Sequence, residues 1–337
     1  SVVDRAGITE VIVKMKTNEG HVGWGEAPRI ASAEVIIKAI ESMIPVLLNQ
    51  DPWQNQLLER SIYKDANWQW SQMTANLAYG ALDMALWDIC GKDVSKPIYK
   101  LIGGNLRKSV DYFYYLQWDT MENFIRQCED GVEKGYKVFY LKIGLNEVLE
   151  EKLIKKLREI IGPKRKIRLD VNMAWSITQA RRLINNWDLE YHIDFVEAPV
   201  KIQPLDLMKD LKGSVTSSLC VNEGLWQESE FYDIVNSRCG EYLCYSHYFV
   251  GTIRKFLSLA NYANFMGWQI CKHTHGELGL TAAIGQHLML TVPNACEGNQ
   301  QTAQNMASDI LQEEIPITSS NTWGLIDKPG LGIEIDE

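Results

Sequence analysis

The chain has 337 residues, 23% of them charged, and a formal net charge of −9. That length suits one large α/β domain with a smaller one, and an acidic balance with no basic run excludes nucleic acid as a partner. No apolar stretch reaches membrane length and no signal-peptide pattern is present, and the seven scattered cysteines lack CxxC spacing, so reduced core thiols in a cytoplasmic protein are expected.

In chain order, ITEVIVKMKTNEGHVGWGEAP reads as two strands joined by a turn around Glu19 and Gly20. Helical patterns follow in SAEVIIKAIESMIPVLL and NLAYGALDMALWDICGK, with Gly103 and Gly104 as punctuation. From about residue 110 a regular alternation begins. Candidate strands cover 112–118, 139–144, 166–172, 194–199, 218–223, 242–248, 268–273 and 294–299. Amphipathic stretches such as LEEKLIKKLREIIG and RKFLSLANYANFMG lie between them. Eight strands alternating with helices predict a parallel (β/α) barrel. A doubly wound sheet is the competitor, but no GxGxxG follows the first strand. The expected division is an α+β N-terminal capping domain over 1–105, to which 318–337 return with a short strand, and a barrel over 106–317. The chain opens at SVVDRAG, close to the first predicted strand, so the cap is expected to be incomplete.

The active site of such a barrel lies at the C-terminal ends of its strands. Three apolar runs, KIRLD, IDFVE and SLCVNE, end in Asp170, Glu197 and Glu223, spaced 27 and 26 residues apart. Converging carboxylates with no counter-charge repel one another, so a divalent cation is the economical explanation, and hard oxygen ligands suit Mg²⁺ or Mn²⁺. On the fifth strand either Asn222 or Glu223 could be the ligand; the spacing and the need for negative charge favour Glu223. The other strand ends carry Tyr140 and Lys142, Asn172, Ser246 and His247, Lys272 and His273, and Glu297. Any one of these alone reads best as a surface or satisfied core residue. Their concentration at one end does not.

GHVGWGEAP, ALWDICGKDVSKPIYKLIGG, LDVNMAW, FVEAP, VNEGLW and PGLGIEID together resemble the enolase superfamily, specifically its mandelate racemase-like branch. The resemblance covers nearly the whole chain. It implies Mg²⁺ on Asp170, Glu197 and Glu223, a small carboxylate substrate on the same metal, and stabilisation of the enediolate formed when the α-proton leaves. It makes Lys142 the candidate base, the second lysine of a Lys-x-Lys motif whose first is replaced by Tyr140, with its pKa expected to be lowered. Tyr140 would bond the substrate carboxylate or act as an acid. His273 matches the seventh-strand histidine, with His275 the alternative, and Ser246 stands where the family usually has a supporting aspartate. Asn172, Ser246, His247 and Glu297 are expected to contact substrate. The loops bearing Trp118 and Trp175 are expected to help set specificity.

One base and one acid suffice for dehydration of a sugar acid or related hydroxy acid to a 2-keto-3-deoxy acid, the leading expectation. A racemase or epimerase using Lys142 and His273 on opposite faces is the alternative. Cycloisomerase or amino-acid epimerase chemistry ranks third, because the sixth strand, YLCYSHYF, lacks the lysine expected for that branch, and a non-catalytic metal-binding relative is the reading from a different class. A homo-oligomer is expected from the resemblance.

Overall fold

The computed structural model describes residues 2–5, 8–28, 32–66, 72–306, 308–313 and 321–336. At the N-terminus β1 (Val2–Arg5), β2 (Ile8–Lys16) and β3 (Val22–Ala27) form an antiparallel sheet in that order. The β2–β3 turn closes with the Thr17 amide donating to the His21 carbonyl, and Gly20 supplies the left-handed residue at φ 95°. Helices α1 (Ala33–Leu47), α2 (Asn55–Ala66) and α3 (Gln72–Asp93) follow. Ile36, Ala39, Ile40 and Met43 form the buried stripe of α1 at the i, i+3, i+4, i+7 spacing of an amphipathic helix.

The alternation Gly23-Trp24-Gly25 lets β3 and α3 approach closely. A methyl group on Gly25 would run into the Ala81 carbonyl oxygen, and one on Gly23 into that of Ala85. Small residues on both sides bring the backbones together, which a larger side chain would prevent.

After α4 (Ile98–Leu101) and β4 (Val110–Asp111) comes the parallel sheet: β5 (Tyr114–Leu116), β6 (Val138–Lys142), β7 (Lys166–Asp170), β8 (Ile193–Glu197), β9 (Ser218–Val221), β10 (Tyr242–Tyr245) and β11 (Gln269–Lys272). Each strand pairs with its sequence neighbour. Helices α5 (Met121–Glu133), α6 (Glu147–Ile161), α7 (Ile177–Tyr191), α8 (Asp206–Lys212), α9 (Glu228–Ser237), α10 (His247–Val250), α11 (Ile253–Phe265) and α12 (Gly279–Thr291) fill the connections and follow β11. Thr120, Asn146, Ser176 and Thr252 cap four of them, each accepting from the amide three residues on.

The eighth expected strand, 294–299, is not a regular strand. Its backbone bridges Ala295 to Ile270 on one side and Asn299 to Tyr112 on the other, which closes the barrel. Gly298 at φ 70° interrupts it, packed against Val138 where a methyl has no room. A β12 strand (Thr322–Trp323) pairs antiparallel with β4. Beyond it the described tail makes no strand, contrary to expectation. Its turn docks on α3 instead, with the Leu331 amide donating to Asp88 Oδ1 at 2.8 Å and the Ile98 amide to the Gly330 carbonyl at 3.1 Å.

The N-terminal domain caps the barrel through buried polar contacts. Asn76 on α3 donates to the carbonyls of Trp226 (2.8 Å) and Phe249 (2.5 Å), in segments that follow β9 and β10. Glu26 on β3 accepts from the amides of Leu278 (2.6 Å) and Thr281 (2.9 Å) at the start of α12, beyond β11. These contacts lie past the C-terminal ends of the strands. Gly25→Ala should therefore separate β3 from α3 and lower unfolding free energy by about 1–3 kcal/mol, the usual range for overpacking. An unchanged denaturation midpoint would contradict this close packing.

Candidate active site

Lys142, Asp170 and Glu197 end three adjacent parallel strands, and the register sets Lys142 beside Asp170 and Asp170 beside Glu197. In-register parallel pairing thus turns the sequence spacing into proximity. Asp170 and Glu197 are each 1% exposed. Glu223 follows β9 and reaches the same group. Asp170 Oδ2 accepts the Tyr140 hydroxyl at 2.5 Å and Lys142 Nζ at 2.6 Å, while Oδ1 accepts the Asn172 amide at 3.0 Å.

Asn172 sits in the left-handed region at φ 44°, a conformation asparagine tolerates better than most residues. Its side chain links the two halves of the group: Oδ1 accepts from Lys142 Nζ at 2.7 Å and Nδ2 donates to Glu223 Oε1 at 3.1 Å. Asn222 turns away, donating to the Cys244 carbonyl at 2.7 Å, so Glu223 is the fifth-strand group that faces the other carboxylates.

Burial, and then the Asp170 charge, push the Glu197 carboxyl well above its ordinary pKa. Burial also raises Glu223. Glu223 Oε2 is buried and accepts no hydrogen bond. Two carboxyls lifted in this way, plus an orphaned oxygen, are what a hard cation would relieve. Asp170, Glu197 and Glu223 therefore fit Mg²⁺ or Mn²⁺ as a donor set. Lys142 departs from expectation: burial lowers its pKa, but the Asp170 oxygen beside it outweighs burial and the net direction is upward.

His273, 6% exposed, lies beyond β11. Its Nδ1 is 3.3 Å from the Tyr248 hydroxyl, and its ring stands 4.3 Å from that of His275 and 4.8 Å from Phe249. Burial, and then His275, Lys272 and Lys142, hold its pKa well below the ordinary value. Ser246 does not touch the ring; its hydroxyl donates to the His273 backbone carbonyl at 2.6 Å. Tyr248 occupies the supporting role instead. His247 is buried against Tyr248, with a pKa pushed down to about 3 by burial and then Lys272, and makes no hydrogen bond to the carboxylates. His275, half-buried, is held at about 4, chiefly by loss of solvent around its ring. Lys272 forms a buried ion pair with Glu277.

Glu297 is a correction. Its carboxylate lies 3.3 Å from Lys137 and 3.5 Å from Lys166, residues at the starts of β6 and β7. It faces the opposite end of the barrel, because the left-handed turn at Gly298 follows it and the chain reaches the active end only two residues later, at Gln300. Trp175 is also not a pocket residue: it is 5% exposed and packs on Trp187 at 5.7 Å.

Sequence reasoning missed two contacts. Gln300 Nε2 donates to Glu197 Oε2 at 2.7 Å. Its polarity in GNQQ was the available signal, one step past the expected strand. Tyr248 reaches His273 from the short α10 helix, and nothing in SHYFV separates such a tyrosine from a core one.

The comparisons with known proteins agree with this architecture. Residues 2–103 match the Mandelate racemase / muconate lactonizing enzyme, N-terminal domain, and residues 123–337 match the Enolase C-terminal domain-like family. An N-succinyl-L-Arg/Lys racemase of Bacillus cereus is 28% identical, over 97% of this chain and 88% of its own. An arabinonate dehydratase of Saccharolobus solfataricus is 27% identical, over 96% and 88%. The crystal structure of a dipeptide epimerase from Enterococcus faecalis superposes with a TM-score of 0.91 at 20% identity, covering 99% of this chain and 97% of that one. Among the described residues no helix is long and apolar enough to cross a membrane. The chain belongs to the mandelate racemase/muconate lactonizing enzyme family of the enolase superfamily.

Proposed function

We propose that this chain is a Mg²⁺-dependent dehydratase that removes the α-proton of a sugar acid or related hydroxy acid and releases the β-hydroxyl as water, leaving an enol that becomes a 2-keto-3-deoxy acid. The observation that carries this reading is the unequal environment of the two proton carriers. Lys142 sits among carboxylates, whereas His273 sits in a buried pocket with cationic neighbours.

Asp170, Glu197 and Glu223 would hold the cation. When bound, it supplies positive charge against the second negative charge that develops on the substrate carboxylate. Asp170 raises the Lys142 pKa, so a cation drawing on that carboxylate would release the lysine toward the neutral amine, and Nζ, held by Asp170 and Asn172, would then take the α-proton. The Tyr140 hydroxyl and Gln300 amide fix the orientation of Asp170 and Glu197. His273 delivers a proton to the departing hydroxyl. Burial and nearby cations hold the ring neutral, which makes it a weak second base; as an acid it must first take up a proton, which the Tyr248 hydroxyl at 3.3 Å from Nδ1 is placed to relay. The cap and its buried contacts exclude water around the strand ends.

Racemisation is the second reading, favoured by the similarity to the N-succinyl-L-Arg/Lys racemase. It requires His273 to accept a proton in one direction, against its surroundings. The dehydratases of arabinonate, D-galactonate and D-mannonate among the similar proteins support a sugar acid as substrate.

Two outcomes are expected. Mg²⁺ at about 100 times its Kd should stabilise the protein against denaturant by about 2.7 kcal/mol. Asp170→Asn should remove that increment, and Glu297→Gln should keep it. In D₂O with Mg²⁺ and a panel of sugar acids, a 2-keto-3-deoxy acid should form, and Lys142→Ala should slow it by about 10²–10⁴-fold. Deuterium at Cα without keto acid would establish racemisation instead, and no exchange with any acid would contradict both readings.

A further inference from the structure

Beneath the carboxylates, the barrel interior is lined by sulfur. Cys220 on β9, Cys244 on β10, Cys271 on β11 and Cys296 on the closing segment form one buried cluster with Phe195. Barrel interiors of this type are ordinarily filled by branched aliphatic side chains. Here four adjacent positions around the sheet are thiols. The four pack together in that cluster, so the sulfurs follow one another in an arc around the sheet.

Packing alone explains small buried cysteines, but not what adjoins them. The register places Glu197 beside Cys220 and Cys244 beside Cys271. A carboxylate oxygen of Glu197 and the sulfurs of Cys220 and Cys244 all lie within 4.8 Å of one another. At the far end of the arc the fully buried Arg168 guanidinium approaches Cys296 at 3.8 Å and Cys271 at 3.9 Å, while bonding Asp194 and the carbonyls of Glu297 and Gly298. That cation serves Cys271 and Cys296; burial pushes the Cys220 thiol up to about 12 and the Cys244 thiol above its ordinary value, so an ion bound there must displace both protons.

A tetrahedral soft ion bonds sulfur at about 2.3 Å and carboxylate oxygen at about 2.0–2.2 Å, so its ligand atoms stand roughly 3.5–3.8 Å apart. The observed group, with all three ligand atoms within 4.8 Å of one another, stands up to about 1 Å wider than that, so binding would draw the side chains together. We propose that Cys220 and Cys244, with the Glu197 carboxylate, form a site for a soft divalent cation such as Zn²⁺ or Cd²⁺. The thiols of Cys220 and Cys244 each lose a proton on binding, and two thiolates with one carboxylate then surround the ion. Thiolate selects Zn²⁺ or Cd²⁺ over Mg²⁺, whereas the oxygen set above selects the reverse. The two sites share Glu197, so the soft ion competes with Mg²⁺ for one ligand. The inference needs only the thiols and Glu197, and stands whether or not the chain is a dehydratase.

The test is Cd²⁺ titration of the reduced full chain, followed by the ultraviolet charge-transfer absorption of cadmium thiolate. The expected result is saturation at one Cd²⁺ per chain. Cys220→Ser and Cys244→Ser should each weaken binding by more than the roughly 100-fold that loss of a supporting contact costs. Cys128→Ser and Cys239→Ser, buried elsewhere, should leave it unchanged. No charge-transfer band in the unaltered chain, or a band that survives both Cys220→Ser and Cys244→Ser, would overturn the proposal. Should those variants fold poorly, anomalous density from Cd²⁺-soaked crystals of the unaltered chain decides: a peak at Cys220, Cys244 and Glu197 is expected, and a peak only at Asp170 and Glu223 contradicts it.

Discussion

The rest of the structure depends on the mutual repulsion of three carboxylates held together at the ends of β7, β8 and just beyond β9. Parallel pairing in register leaves Asp170 and Glu197 no means of separating without breaking the sheet. Two like charges 4 Å apart repel by about 4 kcal/mol at an effective dielectric of 20, a sizeable part of the stability of a typical domain. The surrounding groups answer that cost unequally. Asp170 draws on Tyr140, Lys142 and its own loop amide, Glu197 on Gln300, and Glu223 on Asn172 alone, with one oxygen left over. A hard cation would complete what these neighbours leave undone.

The same crowding orders what lies around it. Lys142 is turned inward by Asp170 and Asn172, so the candidate base is held by the carboxylate shell itself. On the other side, His273 receives a phenol rather than a carboxylate at Nδ1, and its nearby cations disfavour a further positive charge. The capping domain connects to both sides, through Asn76 to the segments after β9 and β10 and through Glu26 to the start of α12. Its own close packing rests on Gly23 and Gly25, so a sequence detail in the first thirty residues supports the geometry of a site two hundred residues away.

Much of this was legible in the sequence. Strand spacing anticipated that Asp170, Glu197, Glu223 and Lys142 come together, because a barrel with short loops converts regular intervals into a ring of adjacent ends. The closing segment was harder. NACEGN alternates like a strand, yet Gly298 takes φ 70° and Glu297 pairs with Lys137 and Lys166 at the opposite end of the barrel. Alternation reports which face a residue takes, not which end of the barrel its side chain reaches. The contact that raises the Lys142 pKa, Asp170 Oδ2 at 2.6 Å, comes from the neighbouring strand and is not legible in the spacing of either run. Tyr248 escaped notice because its partner, His273, is 25 residues away and meets it only through the fold.

The central claim is that Asp170, Glu197 and Glu223 act as one hard-cation site. Electron paramagnetic resonance of Mn²⁺ tests it most directly. One Mn²⁺ per chain should lose its free-ion signal, return to solution when Mg²⁺ is added, and remain free with the Asp170→Asn/Glu223→Gln variant. Mn²⁺ that stays free with the unaltered chain, or that binds that variant equally well, would contradict the account.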